Sequence, residues 1–140
     1  MDGATAVVAA ITFSWIGIVV AISFIEAPLK FRAPGITVPL GLGIGRLVFR
    51  AVNALETVLA VVIVVALVVG SMGPATWVPL AIAVAALVLQ LVAVRPALTK
   101  RSDAVLAGED APRSHAHLAY VGLEVIKLVA LLVGGVAALR

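Results

Sequence analysis

The sequence predicts an all-α integral membrane protein, a bundle of four transmembrane helices. Of the 140 residues, 64% are hydrophobic and only 12% are charged, and the mean hydropathy is +1.25, which is not the composition of a soluble domain. The apolar residues form four runs, each near the ~20 residues that a helix needs to cross the hydrocarbon core. Each run is apolar on both alternating faces and is too long for a barrel strand.

The spans lie at about residues 4–25, 47–69, 77–94 and 116–139, so a single membrane domain fills residues 1–140. Pro28 and Pro96 are predicted to end the first and third spans. The stretch 32–45, rich in glycine and proline, is predicted to lie at the membrane interface or to re-enter slightly. Gly134 and Gly135 predict a close approach of the fourth helix to a neighbour.

Two pairs of residues indicate an internal repeat. Glu56 follows Pro28 by 28 residues, and Glu124 follows Pro96 by the same number. This spacing is compatible with two helical hairpins of like orientation, as in transporters built from parallel repeats.

The basic residues gather at two of the three connections between spans, and the second connection carries no charge. The positive-inside rule then places the first and third connections in the cytoplasm and both termini outside, in a bacterial-type inner membrane. The net charge of +3 therefore reflects topology and gives no indication of nucleic-acid binding. Trp15 and Trp77 are predicted to lie in an outer aromatic belt. The basic residues that flank the two connections are Lys30, Arg32, Arg46, Arg50, Arg95, Lys100, Arg101 and Arg113.

Ionisable residues inside the second and fourth spans mark the candidate site. Polar residues recur at helical spacing in both spans, and the rise per residue places Glu56 and Glu124 at nearly equal depth. An ionisable residue at such depth indicates a ligand or ion pathway unless another group pairs with it. Ser23, Glu26 and Gln90 bring further polar groups from the other two spans. The predicted ligand-binding residues are Arg46, Arg50, Asn53, Glu56, His117, Tyr120, Glu124 and Lys127.

A buried structural network is the alternative for the same residues. Lys127 would pair with Glu124 on its own helix or with Glu56 across the bundle, and Glu56 has Arg50 or Arg113 as further partners. Both glutamates are predicted to point into the bundle.

Metal and cofactor chemistry have little support in the sequence. There is no cysteine, which excludes disulfides, thiolate metal sites and a cysteine nucleophile. His117 could ligate haem, but a second histidine on another helix is absent. His117 with Glu124 and Glu56 is a loose pattern for a divalent cation. No catalytic or metal-ligating residue is predicted. Gly41, Gly43 and Gly45 lack the strand and lysine of a nucleotide-binding loop.

The run from Glu26 to Arg32 (EAPLKFR), the run from Gly45 to Phe49 (GRLVF) and His117 after a basic connection resemble a group of small four-helix membrane proteins. These are the copper-resistance-D-like and transmembrane-protein-205-like families, in which a motif of proline, phenylalanine and arginine closes helix one and a histidine opens helix four. Part of that wider group handles haem or copper, and this resemblance makes haem binding an expectation to test.

A second, local resemblance covers Arg46 to Glu56 (RLVFRAVNALE). This run resembles the helix-two signature of the membrane-associated eicosanoid and glutathione metabolism proteins, which are four-helix trimers. The resemblance implies glutathione binding through Arg46, Asn53 and Glu56.

The leading functional prediction is a polar intramembrane site, open to the cytoplasm, that binds or translocates a small polar or ionic solute, with no cofactor. The alternatives are a glutathione-dependent membrane transferase and a haem-binding or non-catalytic subunit of a membrane complex. The predicted partners are the lipid bilayer, further copies of the chain and an unidentified small ligand.

Overall fold

The computed structural model describes residues 1–112 and 115–140. Four helices are long and apolar enough to cross a membrane: α1 (Gly3–Arg32), α2 (Val38–Val69), α3 (Pro74–Leu106) and α4 (His115–Ala138). The predicted all-α four-helix bundle is therefore confirmed. Each predicted span lies within its helix, apart from the last residue of the fourth span. Arg113, a predicted flank and possible partner of Glu56, lies outside the described residues.

Neither Pro28 nor Pro96 ends its helix, contrary to the prediction. A π-helical segment, Val20–Glu26, precedes Pro28 in α1, and another, Gln90–Val94, precedes Pro96 in α3. Proline lacks an N–H and its ring clashes with the carbonyl one turn earlier, so a wider π turn just before it lets the helix continue. The two segments end 68 residues apart, the offset that also relates the two prolines and the two glutamates. This adds a structural feature to the predicted repeat.

The second helix also begins earlier than predicted, at Val38 instead of residue 47. The Thr37 hydroxyl caps it by accepting a hydrogen bond from the Leu40 N–H at 3.2 Å. Most of the stretch 32–45, predicted at the interface, is therefore helical. Gly41 lies against the ring of Phe31, so close that a side chain at this position would clash. This contact gives a packing reason for a glycine inside the first turns of α2.

The helices alternate in direction. Near the start of α2, the Arg46 guanidinium pairs with Asp103 near the end of α3 at 2.7 Å. At the opposite end of the bundle, Gly70 lies beside Ala4. Helix α4 packs against both α1 and α3, and α1 packs against α2. The end that carries the first and third connections is called the basic end, and its described basic residues are Lys30, Arg32, Arg46, Arg50, Arg95, Lys100 and Arg101.

The bundle has a small apolar core and a wide apolar outer surface. Leu80 and Leu131 are among the fully buried side chains. Gly134 lies against Leu80, and Gly135 against Thr12 and Phe13, so the predicted close helix approach is confirmed. On the outside, residues such as Val68 are up to 79% exposed. Such apolar helix faces fit contact with lipid, as expected for a multi-pass membrane protein.

Candidate functional site

The interior of the bundle holds three charged side chains in direct contact. The Lys127 Nζ lies 2.5 Å from Glu56 Oε2 and 2.5 Å from Glu124 Oε1. Their side chains are only 0%, 1% and 3% exposed, respectively. The predictions that both glutamates point inward and that Lys127 is paired are confirmed. The structure forms both alternative pairs at once, because one ammonium bridges the two carboxylates.

Three oxygen atoms surround the Lys127 ammonium. Besides the two carboxylates, it donates to Gln90 Oε1 at 2.9 Å. The Gln90 amide in turn donates to Glu124 Oε1 at 3.3 Å and to the Tyr120 backbone carbonyl at 3.3 Å. An ammonium has three donors and no acceptor, so the number of oxygens around Nζ matches the number of its donors.

Helix α1 supplies two further donors to the carboxylates. The Trp15 Nε1–H donates to Glu56 Oε2 at 2.7 Å, and the Ser23 hydroxyl donates to Glu124 Oε2 at 2.5 Å. Trp15 is fully buried, so its predicted place in an aromatic belt is wrong, whereas Trp77 is 46% exposed. All four helices contribute to what is called the ion cluster here, formed by Trp15, Ser23, Glu56, Gln90, Glu124 and Lys127.

The two π segments help to place the polar donors of the ion cluster. Ser23 lies within the π segment of α1, and Gln90 begins that of α3. On α4, Tyr120, Glu124 and Lys127 are spaced by four and three residues, which puts them on one face. Because π turns often occur at functional sites, their presence at both supporting helices is a notable feature of this cluster.

The remaining predicted site residues lie outside the ion cluster. Arg50 is exposed, and Arg46 is 40% exposed and paired with Asp103. This pairing was not foreseen because the sequence predicted the residues after 94 as a connection, whereas α3 continues to Leu106 and brings Asp103 to α2. Asn53 is buried, and its carbonyl accepts from the Thr57 hydroxyl at 2.8 Å. His117 is half-buried near the start of α4 and interacts with a neighbouring group.

Arg95 was not among the predicted site residues. The sequence indicated only that it flanks a connection and helps to set the topology. The Arg95 guanidinium lies over the ring of Tyr120, 4.7 Å from its centroid, and 5.2 Å from that of Phe49. The two rings meet edge to face at 5.9 Å. Tyr120 is one helical turn from Glu124, so this aromatic and basic group adjoins the ion cluster on the side of the basic end. Arg95 directly follows the π segment of α3, which ends at Val94.

The residues that the sequence suggested for a metal ion and for glutathione have the following surroundings. Within residues 1–112 and 115–140, no three His, Asp or Glu side chains converge on a metal site, so His117, Glu124 and Glu56 do not form one. Arg46 is paired with Asp103, and Glu56 with Lys127. Arg46 and Glu56 therefore have ion-pair partners in two different parts of the bundle.

A separate groove runs between α2 and α3 on the outside of the bundle. Its volume is about 610 Å³, and residues such as Leu67, Trp77 and Val84 line it. No residue of the ion cluster contributes to its lining. An apolar groove of this kind fits lipid chains better than an ionic solute.

No protein-family model, curated protein or solved structure matches this chain. The geometry of the site is therefore what indicates a function. That geometry is a fully buried cluster with two carboxylates and one ammonium, next to an arginine stacked on two aromatic rings.

Proposed function

We propose that this protein binds and translocates a small ionic solute across a bacterial-type inner membrane, and that its ion cluster carries an exchangeable proton for this process. The observation that supports the proposal is the unequal number of charges in the cluster. Glu56 and Glu124 share one ammonium, that of Lys127. With all three groups ionised, the cluster holds one net negative charge.

A net charge is costly in the middle of a membrane protein, where little water is available to solvate it. Binding one proton on a carboxylate oxygen would make the cluster neutral. The facing groups are Trp15 and Ser23 from α1, Gln90 from α3 and Tyr120 from α4, with Arg95 stacked on the Tyr120 ring. Arg95 is a positive group next to the cluster, and it lowers the electrostatic cost of the state in which no proton is bound.

A purely structural role is the competing reading, because a satisfied polar network also fixes the register of helices. The two roles differ in one measurable respect. A proton carrier must exchange a proton while the bundle stays folded, whereas a structural network keeps one protonation state.

Infrared spectroscopy of the reconstituted protein can decide between these roles. We expect the C=O stretch of a protonated carboxylic acid to appear as the pH is lowered and to vanish as it is raised. Glu124→Gln and Glu56→Gln should each remove or shift this signal, and Glu109→Gln, at an exposed connection, should leave it unchanged. An ion cluster whose infrared signature stays constant over the whole pH range of the folded protein would refute the proton carrier.

The proposed orientation places the basic end in the cytoplasm and both termini outside. Because the chain has no cysteine, single cysteines can report this orientation. Ser71→Cys, in the second connection, is expected to react with a membrane-impermeant thiol reagent in intact cells. Glu109→Cys, in the third connection, should react only after permeabilisation. The opposite labelling pattern would show that the basic end faces outward.

Assembly into a homo-oligomer and binding of glutathione or haem stay predictions. Their tests are independent of the proton carrier, since none of them requires a change in protonation of the ion cluster.

A further inference from the structure

Arg95 presents two hydrogen-bond donors with no acceptor, next to the hydroxyl-bearing ring of Tyr120. The Arg95 Nε and Nη2 atoms are shielded from solvent, and within residues 1–112 and 115–140 they make no hydrogen bond. The Tyr120 hydroxyl is also shielded from solvent and lies near Glu124. Over the same residues, no carboxylate lies within 4.0 Å of the Arg95 guanidinium. Tyr120 is only 8% exposed. Buried polar groups normally have partners, and leaving them unpaired is costly.

The two unpaired nitrogens of Arg95 have a specific geometry. Nε and Nη2 form one edge of the planar guanidinium, with two parallel N–H groups. Such an edge matches two oxygens of a carboxylate or phosphate in a bidentate pair, a match that the ammonium of a lysine lacks. The guanidinium lies over the rings of Tyr120 and Phe49, and the Tyr120 hydroxyl is a further donor on one of these two rings.

We propose that Arg95 and Tyr120 form a binding site for a small oxyanion, a carboxylate or a phosphate-like group, that enters from the basic end. The side chain of Arg95 is only partly buried, and the basic end is the side from which an anion would approach it. This inference rests on the proposed function and deepens it, because it gives the chemical class of the solute.

The site also couples the anion to the proton. With Glu56, Glu124, Lys127 and Arg95 all ionised, their charges sum to zero. A monovalent anion bound to Arg95 would leave one net negative charge in the bundle interior, and a divalent anion such as sulfate would leave two. Uptake of a proton by the cluster removes one of these negative charges. Anion binding and proton binding therefore favour each other, and by linkage the effect is reciprocal.

Sulfate is a suitable probe because it resembles phosphate and carries no titrating proton of its own near neutral pH. The host is the Trp77→Phe protein, in which Trp15 is the single tryptophan and reports on Glu56 through its hydrogen bond. Sulfate is added to this protein in a phosphate-free maltoside detergent and in phospholipid nanodiscs. Trp15 emission follows binding, and a pH-sensitive dye in weakly buffered solution follows proton uptake.

We expect saturable sulfate binding with uptake of up to one proton. Arg95→Gln should weaken binding by about tenfold or more, since it removes charge-assisted hydrogen bonds. Arg95→Lys, which keeps the charge but loses the planar edge, should also bind more weakly than the unmodified site. Tyr120→Phe should weaken binding a few-fold. Arg32→Gln, an exposed arginine at the same end, is the matched control and should bind like the host protein.

The two media distinguish the source of the anion. Equal binding in detergent and nanodiscs identifies a soluble anion, whereas binding in detergent that nanodisc phospholipids block identifies a lipid headgroup phosphate, and both results support the site. Sulfate binding that is absent, or that is the same in Arg95→Gln and Arg32→Gln, overturns it. Arg95-dependent binding without proton uptake would leave the anion site standing and remove the proton carrier. Conversely, a carboxylic acid signal that changes with pH, in a protein that does not bind sulfate, would support the proton carrier and remove the anion site.

Discussion

Lys127→Met is expected to lower the free energy of unfolding by about 3–5 kcal/mol, the range for removing one partner of a buried ion pair. Lys127 is fully buried and is the shared partner of Glu56 and Glu124. Without it, two carboxylates and the Gln90 carbonyl face an apolar side chain. Denaturant or SDS titration of the purified protein, followed by circular dichroism, measures the loss. Lys100→Met, at an exposed position of α3, is the matched control and should cost less than about 0.5 kcal/mol.

Double substitutions identify which carboxylate depends on the lysine. Lys127→Met combined with Glu56→Gln should be milder than Lys127→Met alone, because one uncompensated charge is removed with the ammonium. Lys127→Met combined with Glu124→Gln should likewise be less destabilising than Lys127→Met alone. Coupling energies of about 0.5–3 kcal/mol are typical of residues in contact. Losses that simply add in both cycles would contradict the bridging position of Lys127.

Much of the bundle could be predicted from the sequence because membrane solubility imposes a strong pattern. Runs of apolar residues mark the four helices, and the depth of Glu56, Glu124 and Lys127 follows from counting residues along them. Lys127 had to be paired, since an isolated ammonium at that depth is costly. The inward direction of both glutamates follows from the same cost.

The parts that the sequence did not predict depend on helix irregularity and on contacts between distant helices. Proline is normally a helix terminator, so only the structure shows that π turns carry α1 and α3 past Pro28 and Pro96. That continuation brings Asp103 to Arg46, and Arg95, directly after the π segment of α3, lies over Tyr120. Trp15 was misassigned because tryptophan is common in interfacial belts. The signal that points inward is its depth, about midway along α1.

Trp15→Ala is expected to cost about 3–5 kcal/mol through the cavity left by a large buried ring, and further stability through the lost donor to Glu56. Trp15 is fully buried, and its Nε1–H donates to a carboxylate that has to be kept solvated by protein groups. Trp15→Phe keeps most of the apolar volume but removes the N–H, so it isolates the hydrogen bond, worth about 1.5–3 kcal/mol for a charged acceptor. Trp77→Phe, at a side chain that is 46% exposed, is the control and should change the free energy of unfolding very little.

Equal unfolding midpoints for Trp15→Ala and Trp77→Phe, measured by circular dichroism in the same detergent, would contradict the inward position of Trp15. A Trp15→Phe protein as stable as the parent would show instead that packing alone holds this residue in the bundle, and that Glu56 is solvated without it.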